Sequence, residues 1–297
     1  MSLGLYRTIC IVALCALSGI IVTGAAVRLT GSGLGCSDWP TCEEGQFFAA
    51  LEFEPMVEFI NRLITGIVSV AVMAAVAGSL LLRPRRRDLT RWSLALVAGV
   101  AVQAIIGAFV TKTELAYSVV AVHFLASMVL VWAATVLVER AGRPADAVVG
   151  AWAPWAKWLV LAGSAVLLTG PVITSAGPHA GDEDVKRLPL DLAWAARLHS
   201  TTVWILCALV AWIAWTLRRH PDARLRRGSS DLLAAVVLQG GLGYLQYFTG
   251  VPALLVGLHV AGATLVWILA LRLALASTRI DEPSGTSEKD LTLEATT

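Results

Sequence analysis

The chain has 297 residues, of which 57% are hydrophobic and 15% charged, and its mean hydropathy is +0.73. This composition excludes an ordinary soluble globular protein and places the chain among integral membrane proteins. The formal net charge is only +2, so nucleic acid is not expected as a partner.

Eight apolar stretches are each long enough to cross a bilayer as a helix of about 20 residues. They lie at residues 8–27, 56–82, 92–111, 117–138, 152–175, 194–217, 231–248 and 254–274. The predicted fold is an all-α integral membrane protein with eight transmembrane helices. Since further spans follow the first one, we expect that stretch to be a retained helix and not a cleaved signal.

Basic residues in the connecting loops predict the orientation of the helices. The loop at 83–91 contains five arginines, and the loop after the sixth stretch contains five more. Cytoplasmic loops carry an excess of Lys and Arg, so both termini are predicted to be cytoplasmic in a multi-pass protein of the cell membrane. The polar residues 279–297 are predicted to form a disordered cytoplasmic tail.

Three residues of the third and fourth stretches recur 136 residues later, in the seventh and eighth. The pairs are Gln103 and Gln239, Gly107 and Gly243, and His123 and His259. The first and fifth stretches also share Thr-Gly, in VTGAAV and LTGPVI. We therefore predict two pseudo-symmetric four-helix bundles, an N-terminal half at 1–141 and a C-terminal half at 142–278, each with its own site.

Asn61, His123, His199 and His259 are each expected about five or six residues from the outer end of a helix, at a depth of about 8 Å. Two imidazoles at one depth in a four-helix bundle suit the axial positions of a haem iron, so His199 and His259 are predicted metal ligands. The alternative is that each is an isolated, hydrogen-bonded histidine. In the first half Asn61 pairs with His123, which leaves an open position that suits a substrate.

Glu58 lies in EFINRLITG, one helical turn before Asn61 and on the same helix face. Because an ionisable residue inside a membrane helix is a functional-site hypothesis, Glu58 is the candidate catalytic residue, as a base or an electrostatic stabiliser. The alternative is that its carboxylate only pairs with Arg62. Arg28, Arg62 and Arg197 are candidates for binding carboxylates such as haem propionates, or they extend to the membrane interface.

Two of the five cysteines, Cys36 and Cys42, lie in a polar loop with the sequence GSGLGCSDWPTC. On the predicted topology this loop faces an oxidising compartment, where a disulfide can form. The alternative is a pair of free thiols.

These features together resemble the heme A synthase family. The resemblance covers about residues 5–275 and rests on eight spans in two halves, the cysteine loop, Glu-x-x-x-Arg in the second span and histidines in spans four, six and eight. It implies that a methyl group of heme O is oxidised to the formyl group of heme A by successive hydroxylations, for use in cytochrome oxidase. The family's haem b falls on His199 and His259, its substrate site on Glu58 and His123, and its disulfide on the loop cysteines.

One position departs from the family pattern. Many members have Glu-x-x-His-Arg in the second span, whereas this chain has Asn61 in place of the histidine. Asn61 is then a weak ligand or a hydrogen-bond donor, or the substrate haem is held by His123 alone, or activity is lost. We expect retained activity, because Glu58 and Arg62 are present together with His123.

Two other functions stay open at this stage, a quinol-linked haem b electron carrier of the membrane and a non-catalytic haem-handling assembly factor. The intact Glu58 favours the enzyme, with haem b as cofactor, heme O as substrate and heme A as product. Expected partners are membrane lipid, an enzyme that makes heme O, an electron acceptor, cytochrome oxidase assembly and, in a homo-oligomer, a second copy of the chain.

Overall fold

The structure is a computed structural model that describes residues 1–39, 41–42, 48–144, 148–278 and 280–281. These residues form eight long helices and one short pair of strands. The elements are α1 (Leu3–Leu29), α2 (Phe53–Leu81), α3 (Arg87–Lys112), α4 (Tyr117–Ala141), β1 (Val148–Val149), α5 (Pro154–Ala176), α6 (Leu192–Leu217), α7 (Ala223–Phe248), α8 (Ala253–Ala276) and β2 (Ile280–Asp281).

Seven of the eight helices found in the described part of the chain, α1 to α6 and α8, are long and apolar enough to span a membrane. The polar residues Asp231, Gln239 and Gln246 make α7 less apolar, so its crossing stays a prediction. Large side chains such as those of Leu238 and Phe248 are exposed, as lipid-facing residues are in a bilayer protein. The predicted all-α integral membrane fold is confirmed.

Most of the predicted tail, residue 279 and residues 282–297, lies outside the described residues. Ile280 and Asp281 are described, and the disorder predicted for the tail stays a prediction. Asp281 pairs with Val148 and Ile280 with Val149 in an antiparallel ladder, so β1 and β2 join the segment before α5 to the segment after α8.

The helices pack in two rings of four with the same neighbours. In the first ring α1 contacts α2 and α4, and α3 contacts the same two helices; α5 to α8 repeat this arrangement. Between the rings α8 packs on α1 and α4, and α5 packs on α4. We call the end of the helices that carries the Cys36–Cys42 loop the disulfide end and the opposite end the basic end. The half boundary between residues 141 and 142 stays a prediction.

The turns after α3 and α7, both at the disulfide end, share a backbone conformation that side chains seldom adopt. Leu115 and Val251 have φ angles of 58° and 59°, and each follows a residue that also has positive φ, Glu114 in one turn and Gly250 in the other. Such values are uncommon for residues with a Cβ and carry a strain cost. Two turns 136 residues apart therefore place their following helices, α4 and α8, in the same way.

A tryptophan joins the two rings in the middle of the molecule. Trp267 of α8 is only 7% exposed, and its indole Nε1 donates a hydrogen bond of 3.1 Å to the carbonyl of Met128 in α4. Its ring packs on Gly163 of α5, where an added Cβ would lie 3.1 Å away. A glycine allows close helix packing, which drives association in lipid. At the basic end Arg272 of α8 pairs with Glu139 of α4 at 3.0 Å.

We expect Trp267→Ala to lower the free energy of unfolding by about 3 kcal/mol, because a large buried ring is replaced by a cavity. Chemical or thermal unfolding of the detergent-solubilised protein measures the change. Trp158→Ala is the control, since that side chain is 63% exposed and its removal leaves no cavity. Equal effects of the two substitutions would contradict a joining role for Trp267.

Candidate functional site

The four predicted site residues of the helices lie at similar depth. Asn61, His123, His199 and His259 follow the first residues of α2, α4, α6 and α8 by six to eight positions. At helical rise this is roughly 9–12 Å from the disulfide end, somewhat deeper than predicted. The reason is that α2, α6 and α8 begin with residues ahead of their apolar stretches; Asp191, for example, caps α6 by accepting a hydrogen bond from the amide of Trp194.

His199 and His259 face each other across the second half. Their ring centroids are 6.5 Å apart and the ring planes make an angle of 69°. A metal bound at about 2 Å from one nitrogen of each ring would place the centroids about 6 Å apart, so the spacing fits a single metal ion between them. Both helices present their imidazoles at the same level, as two axial ligands require.

Thr169 of α5 fixes the orientation of His199. Its Oγ1 lies 3.0 Å from Nδ1 of His199 and 3.1 Å from the carbonyl oxygen of Ala165. A hydroxyl has one proton, and when this proton goes to the helix carbonyl, the oxygen accepts from the Nδ1–H of His199. That tautomer leaves the Nε2 lone pair free for a metal, as in other ligating histidines whose second nitrogen is held by a hydrogen bond.

The recurring glutamine holds the histidine helix of each half. Gln239 donates through Nε2 to the carbonyl of His259 at 2.8 Å, and Gln103 donates to the carbonyl of His123 at 3.0 Å. The recurring glycine leaves room for the ring, because a Cβ at Gly243 would lie 3.1 Å from Cε1 of His259. The repeated residues therefore position the imidazoles.

In the first half, Asn61 takes the place that His199 has in the second. Its Oδ1 accepts a hydrogen bond of 2.7 Å from Oγ1 of Thr23, as His199 is held by Thr169. One lone pair of this oxygen is thereby engaged, and the amide nitrogen is a donor and not a metal ligand. Nδ1 of His123 is buried and has no hydrogen-bond partner within the described residues. Of the roles left open by the sequence, the geometry favours Asn61 as a hydrogen-bond donor.

Glu58 is buried, with an exposure of 7%, and both carboxylate oxygens are bonded. Oε1 lies 2.6 Å from Nη2 of Arg62, and Oε2 accepts from the backbone amide of Cys36 at 2.9 Å. Nη1 of Arg62 donates to the carbonyls of Asp38 and Thr41, both at 2.7 Å. The ion pair named as the alternative role of Glu58 is present, and it also attaches the loop to α2.

Cys36 and Cys42 form a disulfide, as predicted, which closes the loop bound by Glu58 and Arg62. The two cysteines are nearly fully buried and pack with Ala49 and Phe59. Gly35 lets the loop approach α2, because a Cβ there would lie 2.5 Å from the backbone of Glu54. The loop therefore covers the first turns of α2, where Glu58 lies.

The three candidate arginines differ in their contacts. The guanidinium of Arg62 is engaged by Glu58 and by loop carbonyls. Arg28 and Arg197 form no ion pair with any residue that the structure describes. These two guanidinium groups therefore have donors left for the carboxylates of a ligand.

Two contacts of the site, those of Thr23 and Thr169, were not assigned from the sequence. The signal was present, because Thr-Gly recurs in the first and fifth helices. A third residue is Gln246, whose buried Oε1 has no partner among the described residues. Its spacing from Gly243 and Gln239 places all three on one face of α7, toward α8.

Comparison with known proteins identifies the family of the chain. Residues 7–180 match the model of the COX15-CtaA family, described as cytochrome oxidase assembly protein. The chain belongs to this family. A heme A synthase of Symbiobacterium thermophilum is 30% identical over 261 residues, which cover 77% of this chain and 83% of that protein.

Two further similarities are partial. A heme A synthase of Exiguobacterium sibiricum is 27% identical over 129 residues, and the match spans only 43% of that protein's length and 42% of this chain. A protoheme IX farnesyltransferase of Thermus thermophilus is 39% identical over 56 residues, which are 18% of this chain and 9% of that protein. The predicted family is confirmed by the family match and the Symbiobacterium relative.

We expect Arg62→Gln to destabilise the protein by about 3 kcal/mol or more, because it leaves a buried carboxylate without its cation. The double variant Arg62→Gln with Glu58→Gln should recover much of this loss, since no unpaired charge remains. Unfolding in detergent of the two single variants and the double variant completes the cycle. Additive losses would show that the 2.6 Å ion pair contributes no coupling energy.

Proposed function

We propose that this protein oxidises the methyl group of heme O to a formyl group and so produces heme A for cytochrome oxidase. One observation carries the proposal, the difference between the two halves. The second half has two facing imidazoles, whereas the first has one imidazole and, one helical turn before Asn61, a buried carboxylate. Membership of a cytochrome oxidase assembly family and similarity to proteins named heme A synthase support it.

The second half is the proposed site of haem b. His199 and His259 would hold its iron, with Thr169 fixing the His199 tautomer and Gly243 leaving room for the His259 ring. When bound, haem b supplies one-electron redox chemistry. The buried Gln246 has no counterpart in the first half. It adds a polar group to the face of α7 that also carries Gly243.

The first half is the proposed substrate site, where His123 binds the iron of heme O. Written with water as the oxygen source, conversion of a methyl group to a formyl group releases four protons and four electrons, so protons must leave the reacting carbon and its oxygen. Glu58 is a carboxylate one helical turn from Asn61 and is the base assigned to these protons. Arg62 keeps the carboxylate oriented through the 2.6 Å contact, and an acceptor in the membrane takes up the electrons.

The surroundings of the site suggest its partners. We place the disulfide end outside the cell membrane and both termini in the cytoplasm, because the arginine-rich loops lie at the opposite end. Heme O is insoluble in water, and an enzyme that makes it is a partner. The similarity to a protoheme IX farnesyltransferase supports that pairing. Cytochrome oxidase assembly is the proposed consumer of heme A, and a homo-oligomer is compatible with these roles.

We expect Glu58→Gln to abolish heme A formation in cells and to leave the haem b spectrum intact, because the amide keeps the shape of the side chain but cannot accept a proton. Pigments extracted from the purified proteins measure both. The wild-type protein should yield haem b together with heme O or heme A. Glu54→Gln is the matched control, since Glu54 lies one turn earlier on α2 and is exposed.

Two outcomes would refute the proposal in different ways. If the Glu58→Gln variant formed wild-type amounts of heme A, Glu58 could not be the base. If the wild-type protein contained haem b alone, at two per chain, the protein would be a haem b electron carrier and not this enzyme.

We expect His199→Ala and His259→Ala to lose the low-spin haem b spectrum, because each removes one of two axial ligands. Thr169→Val is a milder variant that keeps the imidazole and should shift the spectrum or the reduction potential without loss of haem. Absorption spectra of the reduced proteins report the ligation. An unchanged spectrum in either alanine variant would contradict the ligand assignment.

A further inference from the structure

An apolar groove lies between α3 and α4 near the disulfide end. Its volume is 290 Å³, near the lower limit of ligand pockets. It is lined by Ile106, Phe109, Ser118, Val119 and Val122. Phe109 and Val122 are more than half exposed, so the groove opens sideways, toward the surrounding lipid.

This groove adjoins the proposed substrate site. Val119 precedes His123 by four residues in α4, so both side chains lie on one face of the helix. In α3, Ile106 is next to Gly107, where an added Cβ would lie 3.7 Å from Cε1 of His123. The groove therefore runs from the neighbourhood of the imidazole to the outside of the bundle.

The second half differs at the corresponding positions. With the same offset of 136 residues, all five positions carry leucine, namely Leu242, Leu245, Leu254, Leu255 and Leu258. On the α4 side, Ser118, Val119 and Val122 are each smaller than the leucine of α8. On the α3 side, Phe109 is larger than its counterpart and provides a flat aromatic wall. The groove of the first half therefore has smaller side chains along α4 and an aromatic side chain along α3.

The two haems of the proposed function differ in one large group. Heme O carries a hydroxyethylfarnesyl chain where haem b has a vinyl group, so only the half that takes heme O must accommodate a long hydrocarbon chain. We infer that the groove between α3 and α4 binds the isoprenoid chain of heme O. The inference rests on the proposed function and adds the part of the protein that distinguishes substrate from cofactor.

The groove acts chiefly by orientation. A hydrocarbon chain gains little by leaving lipid for an apolar groove, because both surroundings are apolar. A chain held in one direction fixes the rotation of the macrocycle about the His123–iron axis, and that rotation decides which methyl group lies near Glu58. Positioning of this kind contributes to rate as well as to binding.

The test replaces the three small residues of α4 by those of α8, in the triple variant S118L/V119L/V122L. We expect the ratio of heme A to heme O in extracted pigments to fall by roughly tenfold or more, because a chain excluded from the groove no longer fixes the rotation of the macrocycle and a misplaced reacting group lowers the rate. The haem b spectrum should not change. The reciprocal substitution Leu258→Val in the second half is the control and should leave the ratio as it is.

The possible outcomes test the groove assignment and the proposed function separately. An unchanged ratio in the triple variant, with heme A still formed, would overturn the groove assignment and indicate that the groove holds only lipid. A wild-type protein that forms no heme A would overturn the proposed function itself. If the triple variant loses haem b through misfolding, Val122→Leu alone decides, since one added methylene at an exposed position leaves the helix packing intact.

Discussion

The ion pair between Glu58 and Arg62 is the contact on which the site and its loop both depend. A carboxylate inside an apolar helix costs several kcal/mol unless its charge and its lone pairs are satisfied. Arg62 supplies the countercharge on one oxygen, and the amide of Cys36 supplies a donor to the other. Nη1 of Arg62 donates to two carbonyls of the disulfide-closed loop. Burying one charge thus fixes Cys36, Asp38 and Thr41 of this loop over α2.

The two halves share the residues that position side chains and differ in the residues to which the proposed function assigns chemistry. A threonine of the first or fifth helix holds the residue opposite, and a glutamine of the third or seventh helix holds the histidine helix. The turns with paired positive φ angles start α4 and α8 alike. On this common frame the first half has an amide, a carboxylate and an open groove, whereas the second has a second imidazole.

Much of the fold could be predicted from the sequence, because apolar length and loop charge are local properties. The disulfide and the level of the histidines followed from spacing. The contacts of Thr23 and Thr169, the link from Cys36 to Glu58 and the position of Trp267 between the rings did not. Each depends on how a helix is rotated about its axis, which packing decides and spacing does not. The pairing of Ile280 with Val149 joins segments too distant for any local pattern to reveal.

Asn61 stands where many family members have histidine. The hydrogen bond that Asn61 forms is compatible with an enzyme. Because Thr23 donates to Oδ1, the amide nitrogen of Asn61 keeps its N–H donors. A donor does not ligate iron as a second imidazole does, so in the proposed function one face of the substrate haem would stay accessible. In apolar surroundings a hydrogen bond to a developing polar oxygen is stronger than in water. In the proposed function, Asn61 would therefore supply a partner for the new oxygen of a hydroxylated substrate, at the position where the second half would supply an iron ligand.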